Sequence, residues 1–314
     1  MRALSYGGGG EFMRPSGIVW LVLLFAMPAL TETRREDVSG GALEGEINVL
    51  QAFRGMRYIR RQERHPHPQN IHILEADLAA KGIRFLTSED NGEGPREVWT
   101  EKTRDFVGRV GAQAGINANF FIHDRKKHTD LLGLAVSQGR VVSEWDSNFQ
   151  HGINISKDNQ VAFVKRAGDA ERGYSTFPED VRLYNAVSGG PLLVLKGDVL
   201  PKTGGDIHPR TAVGLTEEDK LLLVVVDGRH QGYSRGMTIH ELALLMKSLE
   251  ARDALALDGG GSATMVLADP VARVLNVPLP FTLGEKANMG PPGLERAVGN
   301  SIAVFAEPLD ESEL

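Results

Sequence analysis

The chain has 314 residues, 41% of them hydrophobic and 24% charged, an ordinary globular composition with ample length for a large core. Its formal charge is -6 and it carries no long basic run, which excludes a general nucleic-acid footprint. It contains no cysteine, so disulfides, thiolate zinc sites and cysteine-linked lipid anchors are excluded as well.

The first predicted element is the apolar run over residues 17–30, which follows Arg14. It is shorter than the roughly 20 residues that span a bilayer, and it fits a signal-peptide core. Residues 1–30 therefore read as a signal peptide or N-terminal anchor. The protein is expected to be exported: periplasmic, secreted or held at the envelope, with membrane contact only through this segment. Met13, followed by Arg14, reads as the natural start, which makes residues 1–12 an extension. Residues 31–45 are polar and charged and read as a linker.

From residue 46 the pattern turns to strands. Short alternating segments at 47–50, 56–60 and 70–75 are predicted strands, with a proline-bearing loop over 63–69 and a further strand at 83–86. Residues 88–97 form a polar loop. Helical spacing over 100–110 puts Phe106, Val107 and Val110 on one face, and Gly111 is the stop. A strand from Ala114 runs into the polar-aromatic turn Asn117-Ala118-Asn119-Phe120-Phe121. Hairpins are predicted at 137–140 and around 157–160. Strand 181–187 leads to Ser188-Gly189-Gly190-Pro191, and an apolar run at 192–195 turns at Lys196-Gly197-Asp198. Residues 202–209 are loop, 221–226 a strand, 238–249 a helix and 254–257 a strand. Residues 269–296 hold five prolines and read as loop before a last strand at 300–305. The whole predicts an α+β catalytic domain over 46–307, with a mixed β-sheet core and a few helices packed on it, followed by an acidic tail at 308–314.

Chemistry concentrates where two apolar strands each end in Asp-Gly. Asp227-Gly228-Arg229 follows the first, and Asp258-Gly259-Gly260-Gly261-Ser262 follows the second. If those strands are parallel neighbours, the crossover between them brings both aspartates to one sheet edge. Asp227 and Asp258 are then candidate acid, base or nucleophile. Gly259, Gly260 and Gly261 can offer main-chain amides to an anion, and Ser262 adds a hydroxyl. Arg229 and Arg210 are candidate phosphate grips. The loop that carries Ser234 and Gly236 leads into the helix at Thr238. Thr238 and Glu241 form a capping box, which is the plain role for Glu241, a third candidate carboxylate. The exposed amides of that helix start would favour a phosphate. Ser188, with Gly189 and Gly190, reads as a substrate-contacting turn, because no histidine stands in a clear partnering motif for a nucleophilic serine. Asn117 and Asn119, beside aromatic residues, suit sugar hydroxyls and ring faces. His123, Asp124, His128 and Asp130 cluster in sequence but read as a charged loop.

In this order the motifs resemble the phosphodiester glycosidase family. The resemblance runs from Asn117 to Phe305 and is strongest over 208–264, with Ser188-Gly189-Gly190-Pro191 and Arg296-Ala297-Val298-Gly299-Asn300 also matching. It implies hydrolysis of a glycosyl 1-phosphodiester to free sugar and a phosphomonoester, in an extracytoplasmic setting. The implied partner is a sugar-phosphodiester or anionic glycan of the envelope or of exopolysaccharide. One departure bears on which sugar is taken: Ala118-Asn119 replaces the two glycines of the family's Asn-Gly-Gly-Phe-Phe turn. Two rival readings stand beside it. One is a phosphodiesterase assisted by calcium or magnesium, with Asp227 and Asp258 as oxygen ligands. The other is a non-catalytic module that binds anionic glycans.

Overall fold

The computed structural model describes residues 45–123, 128–166, 174–177, 182–278 and 293–310. The expected signal peptide, nearly all of the linker, the middle of the proline-rich loop and the last four residues of the tail lie outside the described residues. So do Asp124 and the side chains of His123 and His128.

The eight-stranded sheet that carries both Asp-Gly motifs has the order Gly45–Phe53, Met56–Glu63, Gln69–Asp77, Lys220–Val226, Arg210–Thr216, Ala251–Leu257, Leu192–Leu195 and Asp198–Val199. Its central strand Lys220–Val226 is apolar without a break from Leu221 because both of its faces are covered. In Lys220–Val226, Leu221, Leu223 and Val225 face one way, into a core shared with Ile116, Met265, Ile302, Ile153 and Val187 from two further sheets. Leu222, Val224 and Val226 face the other way, against the helix Ile239–Ser248, called α2 below. A five-stranded sheet is backed by the helix Thr103–Val110, called α1, through Phe106 and Val107. That helix stops where the sequence predicts, at Gly111, whose φ of 69° is the left-handed conformation glycine adopts without strain.

Every strand pairing among the described residues is antiparallel, so the expected mixed sheet is corrected to antiparallel sheets with two α-helices. The reason lies in one insertion. Lys220–Val226 and Ala251–Leu257 do run in the same direction, joined through α2, but they are not neighbours. Arg210–Thr216 lies between them, antiparallel to both.

Candidate active site at the edge of the eight-stranded sheet

Register places the site. Arg210 pairs with Val226, and Thr211 with Leu257. The next residues outward, Asp227 and Asp258, therefore leave the same sheet edge on either side of the Pro209-Arg210 step. Two strand spacings of about 4.8 Å put their backbones roughly 10 Å apart.

Asp227 is 2% exposed and its carboxylate is fully engaged. Oδ1 accepts from Asn276 Nδ2 at 3.0 Å and from the Val277 N–H at 2.9 Å. Oδ2 accepts from the Tyr233 hydroxyl at 3.1 Å and lies 3.2 Å from His72 Nε2. His72 Nδ1 in turn meets the Tyr58 hydroxyl at 2.7 Å. Burial, with the Asp227 charge as a lesser cause, raises the pKa of both phenols, and that of Tyr233 is pushed up to about 12. Both therefore stay protonated, and Tyr233 donates to Asp227. Asp227 thus ties together three separate segments, which fits a positioning group better than one in contact with a ligand.

Asp258 differs in kind. It retains part of its surface accessible to solvent. Burial pushes its pKa up to about 6, offset in part by Ser262, by the charge of Arg296 and by the Gly259 amide. The Ser262 hydroxyl is itself buried and meets no partner at full hydrogen-bond geometry, so its offset is a weak one. The backbone is fixed by Asp258 N–H to Ala118 O at 2.9 Å and by Asn117 Nδ2 to Asp258 O at 2.5 Å. Arg296 is stacked 4.8 Å from the ring centre of Phe121.

The glycines serve close approach more than anion binding. A Cβ on Gly259 would lie 2.7 Å from Pro209 O, and the Gly260 N–H donates to that same oxygen at 2.8 Å. Gly260 has φ +61°, and the Arg229 guanidinium lies over it. Gly261 is buried within the same short turn. Arg229 Nη2 reaches His208 Nδ1 at 3.1 Å. Burial, then the charges of Arg229 and Arg210, lowers the pKa of His208, so its ring stays neutral and accepts that bond. Arg210 donates from Nε to Met237 O at 2.8 Å and from Nη2 to the Asp206 carbonyl. Burial lowers its pKa first and Arg229 second, which places the two cations close together. A bound anion would relieve that repulsion.

Several expected contact residues are absorbed into the scaffold. Asn117 is fully buried and accepts from Thr211 Oγ1 at 2.9 Å and from the Thr264 N–H at 3.1 Å. Asn119 is 1% exposed, bonded to Ser188 Oγ at 2.9 Å and to Asn300. Ser188 is itself fully buried and donates to Leu132 O at 3.1 Å, so it is neither an exposed contact nor a nucleophile. Gly189 packs on the neighbouring strand so tightly that a Cβ would lie 2.1 Å from Ala256 O, and the Gly190 N–H donates to that oxygen at 2.8 Å. Gly228 and Gly236 face one another, a Cβ on Gly228 falling 2.8 Å from Gly236 Cα. Ser234 is buried and donates to Asp227 O at 2.7 Å. The start of α2 is closed by its own capping box: Thr238 Oγ1 accepts from the Glu241 N–H at 3.1 Å, and Glu241 accepts from the Thr238 N–H at 2.7 Å. Glu241 also pairs with Arg235 at 2.6 Å. The expectation of a phosphate at this helix start is therefore corrected, and Glu241 has the role of a cap.

The residues present do not fit the calcium or magnesium site. The Asp227 oxygens are occupied by four donors, and Asp258 stands beside Arg296 and Ser262. Among the described residues no group of three histidines or carboxylates gathers as metal ligands would.

Sequence reasoning missed His72, Tyr58 and Asn276 as parts of this centre, and picked out Arg296 only within the matching stretch 296–300. His72 carried a signal: it sits on the core-facing side of a strand, two residues before the buried Leu74. Asn276 carried none, lying in a loop.

A model of the phosphodiester glycosidase family matches residues 110–305, most of the chain, including both aspartates and the three arginines. The chain belongs to the phosphodiester glycosidase family. Its similarity to the N-acetylglucosamine-1-phosphodiester alpha-N-acetylglucosaminidase of Mus musculus is 30% identity over 187 residues, 52% of this chain and 33% of that protein. For the enzyme of the same name from Bos taurus it is 30% over 216 residues, 60% of this chain and 37% of that protein. The chain thus spans about a third of the length of these relatives. Among solved structures, the catalytic domain of the zebrafish N-acetylglucosamine-1-phosphodiester alpha-N-acetylglucosaminidase, auto-inhibited by its pro-peptide, shares the fold. The TM-score is 0.59 at 20% identity, covering 88% of this chain and 87% of that one. A hypothetical protein from Synechocystis matches with TM-score 0.59 at 16% identity, covering 83% and 64%. Within the phosphodiester glycosidase family match fall Asp258, Arg229 and Arg296, whereas His72 and Tyr58, which hold Asp227, lie ahead of it.

Proposed function

We propose that this protein is an exported glycosidase that hydrolyses sugar 1-phosphodiesters of the cell envelope or of exopolysaccharide, releasing the sugar. Asp258 carries the reading: one partly accessible carboxylate, its pKa raised to about 6 by burial, near the charge of Arg296 and leaving the same sheet edge as Asp227. Family membership and the named activity of the mammalian relatives support the reaction class. The apolar segment at 17–30 supports export.

In this reading Arg229 and Arg210 grip the phosphodiester. Charge that builds on the departing phosphomonoester is met by guanidinium groups already in place, with no reorganisation at the moment of bond cleavage. Such a leaving group departs as a stable anion and needs little proton donation. The ionised form of Asp258 is then the useful one, acting at the anomeric carbon or on the attacking water. Arg296 keeps a working fraction of Asp258 ionised. Asp227 is a positioning residue that holds the loop bearing Arg229.

The test is direct. The full chain is incubated with UDP-GlcNAc and with simple N-acetylglucosamine 1-phosphodiesters, with and without divalent ions. Free N-acetylglucosamine appearing in both conditions is expected. No free sugar from any of these substrates, with the chain folded, would end the proposal.

A further inference from the structure

A separate cavity, of about 250 Å³, opens beside the strand Arg84–Thr87, which forms one edge of the five-stranded sheet. Arg84, Leu86, Gln138, Ser156, Lys157 and Tyr184 line it. Gln138 belongs to the turn between strands Ala135–Ser137 and Arg140–Ser143. Ser156 and Lys157 belong to the turn between His151–Ile155 and Val161–Arg166. The cavity lies at the far end of the sheet from the candidate active site. Asn117, which holds the Asp258 carbonyl, pairs with Ser301, whereas Arg84 pairs with Phe305. Four strand residues separate the two pairs, about 13 Å.

The lining is held in place and keeps its donors unused. Arg84 Cζ lies 3.5 Å from the ring centre of Phe305, its partner across the strands. Stacking occupies the face of the guanidinium and leaves the N–H groups at its edge for an acceptor. The turn that carries Lys157 is pinned by Asn159, whose Nδ2 donates to Ile83 O at 2.8 Å and to Leu78 O at 3.2 Å. In the same turn Ser156 Oγ accepts from the Asp158 N–H at 3.2 Å and from the Gln160 N–H at 2.9 Å. Both its lone pairs are taken, and its hydroxyl proton is left to give. Tyr184 is fixed through its main chain, its N–H donating to Asn154 Oδ1 at 2.8 Å and its carbonyl accepting from the Gly139 N–H at 2.7 Å. Among the described residues, neither Arg84 nor Lys157 has a carboxylate partner, and the Gln138 amide and the Tyr184 hydroxyl meet no protein group.

Charge names the ligand. Two cations face the cavity and no carboxylate lines it; Asp158, next to Lys157 in the turn, is not part of the lining. In a chain of net charge -6 this is a local excess of positive charge. A phosphate monoester carries about -1.5 to -2 at neutral pH and offers three strong acceptor oxygens, which matches two cations and several neutral donors. A carboxylate brings half the charge. The volume is below the roughly 300–1,000 Å³ of sites for larger ligands, so it suits a phosphate with one small ring. We infer that this cavity binds a small phosphomonoester, such as a sugar phosphate, with the phosphate held between Arg84 and Lys157. The site rests on the cavity itself and stands or falls apart from the proposed hydrolysis.

Glucose 6-phosphate, glucuronate and glucose are titrated by calorimetry into the full chain and into its Lys157→Gln, Arg84→Gln and Arg229→Ala variants. Binding removed by Lys157→Gln reports on this cavity, and binding removed by Arg229→Ala reports on the catalytic edge. Glucose 6-phosphate is expected to bind about tenfold or more tighter than glucuronate, and glucose not measurably. Its affinity falls about tenfold in Lys157→Gln and in Arg84→Gln, and it survives in Arg229→Ala. The proposal is overturned if glucose 6-phosphate does not bind, if Lys157→Gln leaves its binding unchanged, or if glucuronate binds as tightly. Lys157 is exposed in its turn, so circular dichroism of the glutamine variant should match the parent. Should either charge variant fail to fold, Tyr184→Phe decides: loss of that one hydroxyl must weaken glucose 6-phosphate about threefold or more, and an unaltered affinity refutes the site.

Discussion

Asp227 and His72 face each other across adjacent strands with Oδ2 3.2 Å from Nε2, both side chains 1% exposed, although 155 positions separate them in the chain. The Tyr58 hydroxyl lies 2.7 Å from His72 Nδ1, so the imidazole bridges the phenol and the carboxylate. The result is a continuous buried chain from Tyr58 through His72 to Asp227 and on to Tyr233. It anchors the start of the loop whose next residues supply Arg229 to the cleft.

Asp227→Ala should destabilise the fold by about 3 kcal/mol or more. It strands Asn276 Nδ2, the Val277 N–H, the Tyr233 hydroxyl and His72 Nε2, and each unsatisfied buried donor costs about 1–3 kcal/mol. The midpoint of urea unfolding checks it. A variant as stable as the parent would show that the carboxylate is not the anchor described.

Asp258→Asn should lower kcat by about 10³-fold and also raise stability at neutral pH. The folded pKa of Asp258 lies above its ordinary value, so folding favours the protonated form. Its stability contribution is present at acidic pH and is lost as pH rises through about 6. Removing the ionisable group removes that loss, worth about 2–3 kcal/mol at pH 7 and only about 0.5 kcal/mol at pH 4. Thermal unfolding of both proteins at the two pH values gives the comparison. Equal melting temperatures at pH 7 would contradict the buried-carboxylate account.

Arg296→Ala should move the acidic limb of the kcat/KM profile to higher pH. The limb in the parent is expected near pH 6, activity falling below it as Asp258 takes up a proton. The Arg296 charge lowers the pKa of Asp258, so its loss raises that pKa and shifts the limb upward. A profile that moves to lower pH would reverse the assigned sign.

Arg229→Ala should cost about 10²-fold in kcat/KM for a sugar phosphodiester, through loss of a charge placed against the leaving phosphate. Arg229→Lys should recover little of it, since a lysine cannot reach His208 Nδ1 and the phosphate with one planar group. Steady-state kinetics on a sugar 1-phosphodiester decide the matter, and full activity in the lysine variant would remove the guanidinium geometry from the argument.

Gly189→Ala should fold poorly or not at all. Its Cβ would stand 2.1 Å from the Ala256 carbonyl oxygen, and both groups belong to backbone that cannot swing aside. Soluble yield and circular dichroism are the readouts. A well-folded alanine variant would show that the two strands have room to part.

Local pattern alone located many of the strands, the stop of α1, the start of α2 and the two Asp-Gly steps, but not the strands Val98–Trp99, Tyr174–Phe177, Met265–Ala268 and Ala272–Val274. An apolar run ending in Asp-Gly, a capping box at Thr238 and Glu241, and a glycine after Val110 are each written within a few consecutive residues, and the forces behind them act over that same range. The Asp-Gly pair also led to the right sheet edge, even though the strands carrying it proved to be separated by a third. Tertiary structure decided what the two aspartates are. Asp227 is saturated because His72, Asn276 and Tyr233 arrive from three separate segments, whereas Asp258 keeps accessible surface and a raised pKa because none of them reaches it. Burial and the direction of a charged neighbour depend on contacts between residues far apart in the chain, and a spacing rule that sees only neighbours assigns identical chemistry to two carboxylates that the fold makes opposite.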